Sequence, residues 1–257
     1  GLVISPDELS ISVTSGVEEV REINISNPGT RSVNLRIDVE GEIEDVLSLD
    51  ESLRLEEGEE RILELRVNAS ERGLLTGKIV FRSGNFRKEV LVVINVRTSN
   101  FLFDVSVSMP EEARTIEAGE NLAMQINLLQ VGDDERVDVT ARYVIKDFEG
   151  NVYLEESETF FVLGARDYIK ELPVFDLPPG KYILGLEIIY PNAYATSSAV
   201  FEVEEEALLS PADIFRNKTL LIVLGVILVI VLLLIVFFLR RIFRGSGKKS
   251  AGKKVKK

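Results

Sequence analysis

Few side chains in this sequence could do chemistry, and most of those that could are oxygen donors. Asp133-Asp134-Glu135 and Asp147-Phe148-Glu149-Gly150-Asn151 place carboxylates in short polar runs. A calcium site needs about six to eight converging oxygens. Neither run has that count or a recognised spacing, so both read as hairpin turns and no metal site is assigned. A carboxylate pair could in principle hydrolyse a glycoside. A chain with 42 acids brings such pairs together by chance, however, and it contains no Trp to serve as a sugar platform. Histidine and cysteine are also absent. That excludes Ser-His-Asp catalysis, Cys-His catalysis and ordinary zinc sites. No catalytic residue, cofactor or small-molecule substrate is assigned, and the chain is read as non-enzymatic.

Three Asn residues stand in N-glycosylation sequons: Asn24-Ile25-Ser26, Asn68-Ala69-Ser70 and Asn217-Lys218-Thr219. Asn24 and Asn68 occupy polar positions between apolar ones in strand-like segments, so they should face outward, and both are candidates. Asn217 lies almost against the expected membrane surface, where access is poor.

The compartment follows from residues 220–239, twenty consecutive residues without a charge or a hydrogen-bonding side chain. At about 1.5 Å rise per residue such a helix spans roughly 30 Å, the thickness of a bilayer's hydrocarbon core. A buried core helix would keep a polar face, and this segment has none. It has no ionisable group for an ion path. Gly225 has no small residue four positions away to make a close dimer seam. The segment is therefore read as an anchor in membrane lipid.

Residues 240–257 carry nine Lys or Arg, beginning with Arg240, Arg241 and Arg244 at the membrane boundary, and no acid. The positive-inside rule puts this tail in the cytoplasm and residues 1 to about 218 outside. The tail is read as a stop-transfer signal, with attraction to anionic lipid as the alternative. Removing its nine cations from the 30 Lys and Arg leaves 21 against 42 acids, a charge of −21 for residues 1–239. Nucleic acid is a poor partner for such a surface. The absence of cysteine from an external domain of this size points to a prokaryotic surface. Gly1 is expected to begin either a chain processed by removal of a signal peptide or a trimmed one.

The elements that must position these residues are strands. Val33-Asn34-Leu35-Arg36-Ile37-Asp38-Val39-Glu40 alternates apolar and polar, as do Leu63, Leu65, Val67 and Val90, Val92, Ile94, Val96. Turn signals separate them at Ser15-Gly16, Asn27-Pro28-Gly29, Glu57-Gly58-Glu59 and Ser83-Gly84-Asn85. A polar break at Arg97-Thr98-Ser99-Asn100 precedes fresh alternating runs: Phe101 to Val107, Leu122 to Leu128, Val137 to Ile145, Tyr182 to Ile188, and Ala199 to Val203. The fold class expected is all-β: two tandem immunoglobulin-like β-sandwiches followed by one transmembrane α-helix. The divisions are 1–98 and 99–204 for the sandwiches, 205–219 for a linker and helix start at Ser210-Pro211, 220–239 for the span and 240–257 for the tail.

The first block resembles a widespread group of immunoglobulin-like modules of archaeal and bacterial surface proteins, related in shape to Hydin and major-sperm-protein modules. The matching features are Ile4-Ser5-Pro6, then Ile23 to Gly29, Ser52 to Glu59 leading into Leu63 to Val67, and Gly77 to Phe81. The second block looks like another surface sandwich through Asp147 to Asn151 and Pro178-Pro179-Gly180-Lys181-Tyr182. The resemblance implies a cell surface, archaeal by preference, with spacing, adhesion or assembly with other envelope proteins as the role. It brings no functional residues. The alternative is an accessory single-pass subunit of a larger membrane complex: transporter, secretion system or sensor.

Overall fold

The computed structural model describes residues 1–117, 119–132, 135–174 and 177–204, together with Val226, Ile230, Val231 and Leu234. Asp133, Asp134 and Asn217, the linker 205–219, the rest of the expected span 220–239 and the basic tail with Arg240, Arg241 and Arg244 lie outside the described residues. Among the described residues no helix is long and apolar enough to cross a membrane.

Residues of the first block form nine strands: β1 (Val3–Ser5), β2 (Glu8–Thr14), β3 (Glu19–Ser26), β4 (Val33–Gly41), β5 (Leu47–Ser48), β6 (Ser52–Leu55), β7 (Glu60–Val67), β8 (Gly73–Ser83) and β9 (Phe86–Arg97). They assemble into a four-stranded sheet in the order β1-β3-β7-β5 and a five-stranded sheet in the order β2-β9-β8-β4-β6. The second block supplies β10 (Phe103–Ser108), β11 (Thr115–Glu117), β12 (Asn121–Gln130), β13 (Val137–Lys146), β14 (Val152–Val162), β15 (Ala165–Pro173), β16 (Gly180–Tyr190) and β17 (Ala193–Glu204). Their sheets run β10-β12-β15 and β11-β17-β16-β13-β14. Apart from a 3-10 turn at Glu111–Ala113, the described residues before Glu204 form no helix.

Alternation explains each core. In β4, Leu35 and Ile37 point inward while Asn34 and Arg36 face water. Strand β12 does the same with Leu122, Met124, Ile126 and Leu128. One core lies between the two sheets of the first block, around Ile23, Leu65, Phe81 and Ile94. A second lies between the sheets of the other block, around Phe103, Tyr143, Leu184 and Phe201. Each side chain of this kind contributes about 1.5–3 kcal/mol on burial. The two blocks also share a topology: β2 pairs parallel with β9, and β11 pairs parallel with β17.

The turns carry the expected chemistry. Gly16, Gly58, Gly84 and Gly150 all sit at positive φ, where a Cβ would be strained. Asn27 is buried, and its amide donates to the carbonyls of Arg31 (2.8 Å) and Glu56 (2.9 Å), tying two turns together.

Candidate interaction site at the junction of the sandwiches

The two five-stranded sheets pack face to face, and Gly1–Glu205 forms one compact unit. Between them lies a third, small apolar layer: Leu74 and Val93 from one sheet, Val144 and Ile183 from the other, and Phe148 from the turn after β13. Tyr194 of β17 reaches across into the core of the first sandwich.

Two glycines let the sheets approach. A Cβ on Gly185 would come within 2.6 Å of Leu74 Cδ2 and 2.8 Å of Val144 Cγ1. A Cβ on Gly73 would meet Glu187 Oε1 at 2.9 Å. Gly185→Val should therefore overpack the junction and cost about 1–3 kcal/mol. A lowered denaturant midpoint relative to wild type checks this, and an unchanged midpoint would contradict it.

Polar straps surround the apolar layer. Lys146 Nζ donates to Glu42 Oε1 (2.9 Å) and to the Leu74 carbonyl (3.1 Å). Glu42 Oε2 in turn accepts from the Thr76 backbone N–H at 3.1 Å. Lys78 pairs with Glu149 across the junction, and Lys181 pairs with Glu8 at 2.5 Å. Thr196 Oγ1 donates to the Val96 carbonyl at 2.9 Å, and the Thr98 side chain and backbone bracket Tyr194. Residues 1–204 contain only Lys78, Lys88, Lys146, Lys170 and Lys181, and all but Lys170 stand at or beside this junction.

Beside the straps opens a cleft of about 590 Å³, lined by Lys78, Lys88 and Lys181, by Asp7, Glu89, Asp147 and Glu149, and by Phe148, Tyr153, Tyr182 and Pro178–Pro179. Tyr153 and Tyr182 meet edge to face at 5.3 Å. Burial pulls the Lys78 ammonium's pKa down, but the bond to Glu149 together with the charges of Glu149, Glu89 and Glu40 outweighs this, and the pKa rises. Glu8 raises that of Lys181. Both are thus charged at neutral pH and offer fixed donors rather than neutral amines. The cleft thus sets paired charges beside an edge-to-face pair of tyrosine rings.

Asp147 organises the rim. Its carboxylate accepts from the backbone N–H groups of Glu149 and Asn151 (2.9 Å each), from Asn151 Nδ2 (2.7 Å) and from Tyr153 OH (3.1 Å). These oxygens are used in a turn. Burial would raise the Asp147 pKa, but the hydrogen bonds prevail and hold it below the ordinary 3.8. The stabilisation is then fully present above that ordinary value and is lost only as pH falls through the lowered one. The backbone and side-chain amide resonances of Asn151, which donate to Asp147, should therefore hold their positions from pH 7 to about pH 4. A transition centred higher would contradict the assignment.

Asn24 and Asn68 are both exposed, Asn24 in the middle of β3 and Asn68 just after β7. Neither approaches the junction cleft. Sequence reasoning missed the junction residues, although one signal pointed to them. Val90 to Val96 is almost continuously apolar, as is Tyr182 to Tyr190, which is the mark of strands buried on both faces.

The other flank of the second sandwich is guarded. Strand β14 is an edge, and Glu156 and Glu158 occupy its inward positions. Glu158 accepts from Tyr143 OH at 2.5 Å, and Lys170 lies 3.5 Å from Glu156 and 3.7 Å from Glu158. Inward charges of this kind oppose the addition of a foreign strand.

No protein-family model matches the chain, and no curated protein matches it. Among solved structures, PapD-like domain 7 of human CEP192 is 13% identical, covering 38% of this chain and 84% of that one, with a TM-score of 0.30. A chaperone–tip adhesin complex of CFA/I fimbriae is 9% identical over 79% of this chain and 98% of the other, with a TM-score of 0.33. The CARDB domain of a Pyrococcus furiosus protein is 13% identical over 42% and 100%, with a TM-score of 0.30. At such identities nothing about ligands or activity transfers.

Proposed function

We propose that this chain is a membrane-anchored, non-enzymatic structural and interaction protein of a prokaryotic, and by preference archaeal, cell envelope. Two immunoglobulin-like sandwiches stand outside the cell and the basic tail stands inside. The observation that carries the reading is the uninterrupted apolar run 220–239 followed by nine cations and no acid. It is supported by the four described residues of that run. Val226, Ile230, Val231 and Leu234 are helical, and each is about half exposed.

The work of the outer part is to hold another envelope protein. Exposed Leu129, Val131, Phe161 and Leu163 lie toward the end of the second sandwich that receives the chain from the first. Together with the junction cleft these loop and strand-end positions offer apolar surface for this.

Alkaline extraction of membranes tests the anchor. The full chain should remain with the membrane, and a chain ending at Glu204 should be released. Protease added to whole cells should degrade residues 1–204. A soluble full chain, or a protected amino-terminal part, refutes the reading. Stoichiometric co-purification with a polytopic membrane protein in mild detergent would recast the chain as an accessory subunit.

A further inference from the structure

The outer face of the β1-β3-β7-β5 sheet is not uniformly polar. Val3 and Ile62 are each 54% exposed and Val20 is 46% exposed. Asn24 stands among them: its lateral neighbours in the sheet are Ser5 on β1 and Ile62 on β7, and Val3 lies diagonally across, opposite Ser26. Together with Glu60 and Arg61 these residues line a shallow depression of about 350 Å³.

The amide of Asn24 is placed unlike the chain's other well-bonded asparagines. Asn27 donates to two backbone carbonyls, Asn127 to Asp167 and Asn151 to Asp147. Among the described residues no hydrogen bond ties down the Asn24 amide. Strand geometry also puts Asn24 and Ser26 on the same face, two residues apart. The amide and the hydroxyl of the sequon are therefore presented together.

We propose that Asn24 is N-glycosylated, and that its glycan covers the Val3–Ile62 depression. This rests on the external location argued above. The donor is a lipid-linked oligosaccharide. The bond from its anomeric carbon to the phosphate oxygen breaks, and the electron pair leaves with the phosphate. The anomeric carbon bonds to Asn24 Nδ2, which loses one proton. The first sugar then lies over Ile62 and Val3, exchanging uncovered apolar surface for a polyhydroxylated one.

Trypsin releases Asn24 in the peptide of residues 22–31, between Arg21 and Arg31. In full-length protein purified from its own organism this peptide should carry a glycan mass. The mass should vanish in Asn24→Gln and in Ser26→Ala and persist in Ser26→Thr. These positions are exposed or at the sheet surface, so the variants should fold. A bare peptide from protein whose residues 1–204 are cut by external protease overturns the proposal and leaves the location standing. A bare peptide from protein resistant to that protease removes the location as well.

Discussion

Arg142→Leu should cost about 3–5 kcal/mol of stability, because it strands a buried carboxylate beside the junction. Arg142 Nη1 donates to Glu187 Oε2 at 3.1 Å, and its Nε donates to Glu155 Oε1 at 2.9 Å. The Glu187 side chain is only 4% exposed, whereas that of Glu155 is 49% exposed and can turn to water. Arg142 is thus the charge partner of Glu187, whose other carboxylate oxygen faces Gly73, where an added Cβ would come within 2.9 Å of it. The double variant Arg142→Leu/Glu187→Leu should recover most of the loss, since exchanging a buried pair for apolar groups is often neutral. Denaturant unfolding of the two variants checks both parts. If the double variant is as unstable as the single one, the cost lies in packing and not in the stranded charge.

Phe81→Ala should be comparably damaging, at about 3–5 kcal/mol. Phe81 is fully buried on the inward face of β8, in the core of the first sandwich. Its removal leaves a cavity that rigid sheets on both sides cannot close. Val3→Ala, at a site 54% exposed, should stay within about 0.5 kcal/mol and serves as the control. The sandwiches belong to one compact unit, so the Phe81 variant should lower a single transition shared by both blocks. Loss confined to the first block's signals would show that the junction does not couple them.

Local patterning made the strands with one wet face readable. Val33 to Glu40 alternates because only one side of β4 meets the core, and Gly58, Gly84 and Gly150 mark turns because they need positive φ. Strands β14 and β15 were not legible. They are edge strands with mostly exposed residues, and Glu155, Glu156 and Glu158 blur any period of two. The junction was hidden for a different reason. Leu74, Val93, Val144 and Ile183 come from four strands, and only the long-range pairing of β8 with β9 and of β13 with β16 puts them on facing surfaces. Ion pairs such as Lys146 with Glu42 and Lys181 with Glu8 link residues far apart in the chain, so no local motif announces them. Of the candidate positions, Asn24 and Asn68 were readable as exposed from their place between apolar neighbours. The uncovered surface around Asn24 was not, because it is assembled from three strands.

The parallel pairing of β2 with β9 has a mechanical consequence. In the role proposed above, tethered by its anchor and held by a partner, the chain would be put under tension. Seven residue pairs join these strands, from Glu8–Leu91 to Thr14–Arg97. Tension pulls the start of β2 and the end of β9 in opposite directions along one axis. Force along the two strands shears the ladder, so its evenly spaced bonds share the load, whereas a hairpin pulled at its open end unzips bond by bond. The short β11–β17 pair repeats the arrangement on a smaller scale, next to the residue from which the chain leaves the sandwich. The first sandwich is therefore built to resist stretching more strongly than the second.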